Sequence, residues 1–472
     1  MAMMISASHL VPLAASWVYG DGMASIFAFS MVFNFAVGYI LWLATRRFNT
    51  ELRPKDGFLL VALAWAGGAA FASVPLLGGI GGLSVTDAYF EAVSGLTTTG
   101  ATTLTNLDTL APSLNLWRHM LNWFGGIGII VLAVAVLPLL GVGGMQVYRA
   151  ETPGPMKDDR LTPRIRDTAK NLWLVYTGMT VACMLSLRVA GMSWLDAICH
   201  AFSALSLGGF STHDASVGFF DSIAVEVILT FFMVVAAANF ATHFLAWHAK
   251  SPKPYLRDAQ AKATWPVLIL SSVAIAAYLF SQDTYASYWS ALRHASFNVV
   301  SIATGCGYAS VDYDKWPVVV PMMMLFLSGV VCSAGSTGGG IKMIRSLILV
   351  KQVQRELLLL RHPNAVKQMK IGGAIVENKI IFSVLAFIVV YLVSIALLSF
   401  TLMATGLDFV SSFSAIVASI NNVGPGLNQV GPATNYQVLT DFQTWVCTFT
   451  MLFGRLELFT ILIVLTPAFW RK

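Results

Sequence analysis

Long apolar runs separated by short polar stretches set the pattern of this chain. Ten runs qualify, or nearly qualify, as membrane spans: 8–20, 24–44, 57–77, 116–140, 170–190, 219–248, 264–281, 316–350, 377–404 and 437–466. A helical crossing needs about 20 apolar residues. Between them lie shorter apolar segments of about 12 residues. As helices these cover about 18 Å, too little to cross, so each is expected to enter the membrane and return.

The short segments repeat. Asp87–Gly100 and Asp196–Gly209 share six of fourteen positions, among them the Asp, a Ser six residues before the end and the final Gly. His294–Gly307 keeps that Ser–Gly spacing, and Asp408–Gly424 is a fourth copy. The final glycines are 109, 98 and 117 residues apart, and each copy sits between two long apolar runs. The predicted fold is an all-α polytopic membrane protein. Four span–pore helix–filter loop–span repeats surround one pore with pseudo-fourfold symmetry, and two N-terminal spans precede them. The expected boundaries are 1–56 for those two spans and the following linker. Repeats then occupy 57–150, 151–262, 263–376 and 377–472. Irregular backbone at membrane depth is tolerated only where protein buries it or water lines it, so four such loops are expected to meet at one centre.

A cation entering a dry constriction exchanges its water shell for oxygens, and rings of backbone carbonyls supply them. Glycine permits the backbone angles that aim successive carbonyls inward. The candidate filter residues are Thr98, Thr99 and Gly100; Leu207, Gly208 and Gly209; Gly305, Cys306 and Gly307; and Asn422, Val423 and Gly424. No acid lies in these loops. Neutral carbonyl dipoles suit a large monovalent ion such as K⁺ better than Ca²⁺ or Mg²⁺, which favour carboxylates. Cys306 is expected to offer its carbonyl rather than its thiol.

Trp316–Arg361 would be about 69 Å long if wholly helical. Four glycines in six positions, Gly335, Gly338, Gly339 and Gly340, interrupt it and cost about 3–4 kcal/mol of helix propensity relative to alanine. With Ser333, Ser336, Thr337 and Lys342 they form a candidate mobile loop across the path; a small-residue helix-packing interface is the alternative. Arg455, deep in the last span, either faces this loop or extends to the inner interface. The phosphate-loop pattern GxxxxGK[ST] is not met, so no nucleotide site is expected in this chain.

Composition narrows the class. The chain has 472 residues, 57% hydrophobic and 11% charged, and a mean hydropathy of +0.72. That excludes a soluble enzyme, a disordered scaffold and a secreted disulfide module. No cleavable signal is read at the start. The five cysteines show neither disulfide nor metal spacing. With linker 45–56 inside, 22 Lys/Arg against nine acids fall on the inner side, and four against twelve on the outer, a positive-inside pattern. The net +6 therefore reports topology rather than nucleic-acid binding, and the acidic outer face suits a cation vestibule. No G-x-S-x-G or HExxH occurs, and His200 and His294 are expected to be structural, so an enzyme is not expected. A receptor or scaffold does not account for four glycine loops. A proton- or sodium-coupled symporter on the same fold remains the alternative to channel-like permeation, with Glu226 as its candidate in-span acid.

The filter loops, Gly335–Lys342 (GSTGGGIK), Leu452–Glu457 (LFGRLE), Gly143–Lys157 and Leu465–Arg471 together resemble the TrkH branch of the Trk/Ktr/HKT superfamily of K⁺ transporters. The resemblance implies K⁺ uptake across a bacterial inner membrane, with K⁺ held by backbone carbonyls of the filter residues. It implies a homodimer with one pore per protomer and a cytoplasmic TrkA-type ring binding NAD(H) and ATP or ADP. It makes loop 333–340 the intramembrane gate, with Arg455 bonded to it and segment 351–376 relaying partner motion. Two departures stand out. Only about 20 residues precede Asp21, so part of the usual first helix is expected to be missing. The third filter reads Gly305-Cys-Gly-Tyr308 where relatives more often show Thr-Ala-Gly-Phe, and the extra Gly is expected to loosen that quarter and alter K⁺/Na⁺ discrimination.

Overall fold

The computed structural model describes residues 1–48, 54–131 and 161–471, and the resemblance segment Gly143–Lys157 lies outside them. Among the described residues, six helices are long and apolar enough to cross a membrane: Ala2–Tyr19 (as Ala2–Ser8 and Leu10–Tyr19), Ala24–Thr45, Asp56–Gly79, Ala169–Val189, Ala259–Ser281 and Asn378–Ala404. Large apolar side chains along them, such as Phe29, Ile40, Leu63, Leu270 and Phe400, stay exposed on the outer wall. In a bilayer that wall faces lipid, which is as apolar as the side chains themselves.

Four short helices stand inside that wall: Val85–Leu96, Trp194–Ser206, Tyr288–Ala303 and Phe409–Asn421. Each opens on a side-chain N-cap, Ser84, Ser193, Ser287 or Asp408, which accepts a backbone N–H three residues on. Caps of this kind satisfy one of the orphan N–H groups of a first turn and stabilise it by about 1 kcal/mol. The four helices thus begin alike although their sequences have diverged. Buried residues crowd their later turns, for example Phe90, Cys199, Val299 and Ile416.

Two of the runs that read as single spans are bent. Run 219–248 forms Ile223–Ala237 and Phe240–Ala249 at 98°, and run 437–466 forms Asp441–Arg455 and Leu458–Leu465 at 113°. The first elbow opens backbone groups that bind the glycine-rich loop: Ser333 N donates to Ala237 O at 3.0 Å and Phe240 N to Gly335 O at 3.1 Å. Asn239 caps the second half by accepting from Ala241 N. The run from Trp316 is helical only as Val319–Val330 and again as Met343–Arg361, with irregular backbone between. Past Arg361 the chain makes a two-stranded antiparallel hairpin, Lys370–Ile371 with Ala374–Ile375, the one sheet among the described residues.

The N-terminal pair of spans packs on the first repeat. His9 stacks on Trp117 with centroids 4.4 Å apart, and Asp21 Oδ2 accepts from Ser113 N at 2.9 Å, holding the start of helix Pro112–Val131.

Candidate functional site

The four loops close into a ring. A Cβ placed on Gly100 would lie 2.2 Å from Gly208 O; on Gly209, 2.0 Å from Cys306 O; on Gly307, 1.9 Å from Val423 O; on Gly424, 2.8 Å from Thr99 O. Each glycine therefore abuts the carbonyl of the residue before the next loop's glycine, in the order one, two, three, four and back to one. All four have positive φ, between 65° and 94°. Only a residue without a Cβ meets both demands.

The loop stems repeat as well. The residue before each glycine donates its N–H back into its own short helix: Thr99 to Ser94 O, Gly208 to Ser203 O, Cys306 to Ser301 O and Val423 to Ala418 O, at 2.8–2.9 Å. Two residues before each glycine the backbone is again left-handed: Thr98 at 51°, Leu207 at 55°, Gly305 at 77° and Asn422 at 55°. L-residues there cost about 1–2 kcal/mol. Gly305 thus occupies the one position of its loop where the other three loops hold strained residues. Its extra freedom coincides with a required conformation.

The glycine-rich loop crosses directly beneath. Thr337 Oγ1 donates to Leu205 O (3.1 Å) and Ala236 O (3.3 Å), and Cys332 Sγ to Thr304 O (3.0 Å). A Cβ on Gly339 would sit 2.2 Å from Asn421 O. The loop accordingly meets the C-terminal ends of the second, third and fourth short helices, whose partial negative charge points at it. Lys342 Nζ, just past the loop, donates to Gly338 O. Ser336 and Ser333 bond to each other through hydroxyl and carbonyl at 2.7 Å. Gly335 lies against Asn239 and Gly340 against Gly329.

Arg455 is buried at 3% exposure and points at this loop. Its Nη1 donates to Thr337 O at 2.7 Å and its Nη2 to Gly125 O at 3.2 Å, tying the loop to the first repeat. Glu457 pairs instead with Arg345 at 2.6 Å. The ring glycines line a small outer cavity of ≈ 80 Å³, and the glycine-rich loop lines a separate inner one of ≈ 50 Å³ with Arg455, Arg345 and Glu457.

Several polar residues gained a place that the one-dimensional pattern did not give. Glu226 is not free inside a span. It lies in the first turn of Ile223–Ala237, and both its oxygens are held by Arg293, at 2.9 and 2.8 Å. Arg118 and Glu91, which read as outer-face charges, are buried at 1% and 0% exposure and pair at 3.2 Å. His200 is satisfied by Asp196 O and Ser211 Oγ, and His294 by Ser310 Oγ. The signal for such partners is long-range: 27 residues separate Glu91 from Arg118, and 67 separate Glu226 from Arg293.

His213 clasps two outer segments. Its ring meets Asp108 at 2.5 Å and Asp196 at 3.4 Å and stacks on Phe219 at 3.5 Å. Burial pulls the imidazole down, but Asp196 and Asp108 outweigh it and raise its pKa above 6.5. For Asp108, burial pushes up while His213 pulls further down, leaving it below its usual range. With a raised folded value, the His213 contribution is complete below pH 6.5 and fades as pH rises through the folded value. Thermal stability of the purified protein should therefore decline above pH 6.5, and His213→Gln should flatten that decline. Parallel pH profiles for the two proteins would remove the clasp.

With this geometry in place, the comparisons define a class of membrane transporters. The TrkH family profile, described as a cation transport protein, matches residues 23–472. The chain is 43% identical over 471 residues to the "Trk system potassium uptake protein TrkH" of Halomonas elongata, covering 100% of this chain and 97% of that one. It is 42% identical over 473 residues to the protein of the same name from Escherichia coli K12, covering 100% and 98%. Its fold matches the crystal structure of the potassium transporter TrkH from Vibrio parahaemolyticus with a TM-score of 0.92 at 41% identity, covering 100% of this chain and 97% of that one. The chain belongs to the TrkH family.

Proposed function

We propose that this chain is the membrane subunit of a bacterial Trk-type potassium uptake system in the inner membrane. K⁺ passes through the ring formed by Thr98–Gly100, Leu207–Gly209, Gly305–Gly307 and Asn422–Gly424, held by their backbone carbonyls. The observation that carries this reading is the closed order of the ring, each glycine against the carbonyl of the next loop. Such a ring brings oxygens from all four repeats to one axis without a carboxylate, which suits a monovalent cation. The relatives' names give the ion.

The loop from Ser333 to Gly340 is the gate, and Arg455 holds it shut. Lys342 contributes by bonding back onto Gly338. The hydrogen bonds from Thr337 and Cys332 to the ends of two short helices, and from Arg455 to Thr337 and Gly125, support a closed position under the ring. In the cell the subunit works as a homodimer under a TrkA-type cytoplasmic ring that supplies the nucleotide sites. The basic helix Met343–Arg361, continuous with the gate loop, is the element on which such a partner acts.

Permeation is channel-like. Both oxygens of Glu226 are committed to Arg293, and Asp221 shares the same guanidinium at 2.9 Å, which leaves this acid poorly placed to carry a coupled proton. The test is ⁸⁶Rb⁺ uptake into proteoliposomes at fixed internal pH, with and without a proton gradient. Uptake should follow the K⁺ diffusion potential and ignore ΔpH. Uptake that depends on an inward ΔpH would establish symport instead.

A further inference from the structure

In every repeat a polar side chain of the short helix catches the chain just beyond the ring glycine. Asn298 Oδ1 accepts from Ser310 N at 3.2 Å, three residues after Gly307. Ser414 Oγ accepts from Leu427 N at 2.9 Å, three residues after Gly424. His200 Nε2 is bonded to Ser211 Oγ at 3.1 Å, two residues after Gly209, and that oxygen accepts from His213 N. In the first repeat the same place is taken by Glu91, whose Oε1 accepts from Thr103 N at 2.7 Å, three residues after Gly100, and from the Thr102 hydroxyl.

Three of these tethers are uncharged and one is a carboxylate. The carboxylate has a partner that no other tether has. Arg118 Nε donates to Glu91 Oε2 at 3.2 Å, while Nη1 and Nη2 donate to Asn115 Oδ1 and Thr102 Oγ1, each at 3.2 Å. The guanidinium lies 4.3 Å from the centre of the Phe210 ring, the residue that follows Gly209. The pair therefore ties the outer return of the first loop to the outer return of the second. Arg118 also lines the outer cavity, together with all four ring glycines.

We propose that Glu91 and Arg118 are positioning residues of the transport path, a proposal that rests on reading the ring as that path. Glu91 pins the first loop, Arg118 carries the restraint to the second, and their charges cancel at the mouth. Neutral side chains suffice as tethers in the other repeats, and a buried ion pair is seldom more stabilising than neutral groups of the same shape. What the pair adds is a pair of full charges beside a cation route, silent only while both are present.

Breaking the pair from its two sides has opposite consequences. Glu91→Gln leaves a lone guanidinium at the mouth. Arg118→Gln leaves a lone carboxylate. A unit charge about 10 Å from the ion, at an effective dielectric of about 20, shifts ion binding roughly tenfold. In ⁸⁶Rb⁺ uptake by proteoliposomes, Glu91→Gln should raise the apparent KM about tenfold and Arg118→Gln should lower it and introduce block by Ba²⁺. The double variant should return KM towards the wild-type value. A merely structural role predicts shifts in the same direction that add in the double variant, and that result would overturn the proposal. If Arg118→Gln does not accumulate in the membrane, Arg118→Lys carries the test. It keeps the charge but loses the fork to Asn115 and Thr102, so KM should hold while competition by Na⁺ increases; unchanged Na⁺ competition would overturn the proposal. Wild-type vesicles that take up no Rb⁺ would instead mark failure of the ring as a cation path, separately from the behaviour of the variants.

Discussion

Serine at Gly209 or Gly307 should cut Rb⁺ uptake by more than about tenfold, while asparagine at Gly305, two residues from Gly307, should leave most of it. All three glycines have positive φ, so the backbone cost of an L-residue is common to them, at about 1–2 kcal/mol. They differ in what a Cβ meets. At Gly209 and Gly307 it lands 2.0 and 1.9 Å from the carbonyl oxygens of Cys306 and Val423. Backbone of the neighbouring loop must move, and in this reading it is the backbone that faces the ion. At Gly305 the nearest atoms are 3.7 Å away, an ordinary contact. Asn422 already adopts the same left-handed conformation at the matching place in the fourth loop. A rise of about 1.4 kcal/mol in the permeation barrier is tenfold in rate, so displaced carbonyls at Gly209 or Gly307 should cut uptake by more than about tenfold. The comparison is made on variants reconstituted at equal protein, with gel-filtration profiles to show that each has folded. Equal losses at Gly305 and Gly307 would mean that loop strain, and not the carbonyl ring, governs transport. Full activity at Gly209→Ser and Gly307→Ser would remove the ring from the path altogether.

Much of this architecture is written in local signals. The four short helices follow from repeated spacing, because each copy must solve the same problem: a capped start, a buried middle and a glycine at the turn. Ser84 with Asp87 and Ser193 with Asp196 are three residues apart, and in both pairs the hydroxyl accepts the backbone N–H and donates to the carboxylate. The break near Gly335–Gly340 is legible for a similar reason, since consecutive glycines weaken a helix wherever they fall.

The first elbow is not legible in that way. Ala238–Asn239 lies in an unbroken apolar run with neither glycine nor proline beside it. Its bend accommodates a loop almost 100 residues away, whose Ser333 and Gly335 take up the freed backbone groups. The order of the ring is likewise a tertiary fact, since spacing shows that four loops are alike without showing which carbonyl faces which glycine. Glu91 and Arg118 were hidden by their type, because a charge in a short outer segment reads as solvated. Burial reverses that reading once a partner satisfies each oxygen and nitrogen.

Arg455→Ala should raise basal Rb⁺ flux in vesicles that contain no partner protein. Arg455 Nη1 and Nη2 each donate to a backbone carbonyl, Thr337 O on the loop and Gly125 O on the opposite wall. Hydrogen bonds from a charged donor contribute about 1.5–3 kcal/mol each. Only the Thr337 bond bears directly on the loop, so its loss should shift the closed–open balance by about 1.5–3 kcal/mol, roughly 10–150-fold in population. Removal of a cation from beneath a cation path acts in the same direction. Arg455→Lys keeps the charge but offers a compact donor that cannot fork to both carbonyls. Its flux should fall between those of the wild type and Arg455→Ala, which separates the contribution of the bridge from that of the charge. The Arg345–Glu457 pair at the neighbouring elbow supplies a control, since it holds Met343–Arg361 near Leu458–Leu465 without bonding to the loop. Glu457→Gln should therefore change basal flux far less than Arg455→Ala. Wild-type flux in Arg455→Ala would assign the glycine-rich segment to packing of small residues between helices, leaving the closure of the path to some other element.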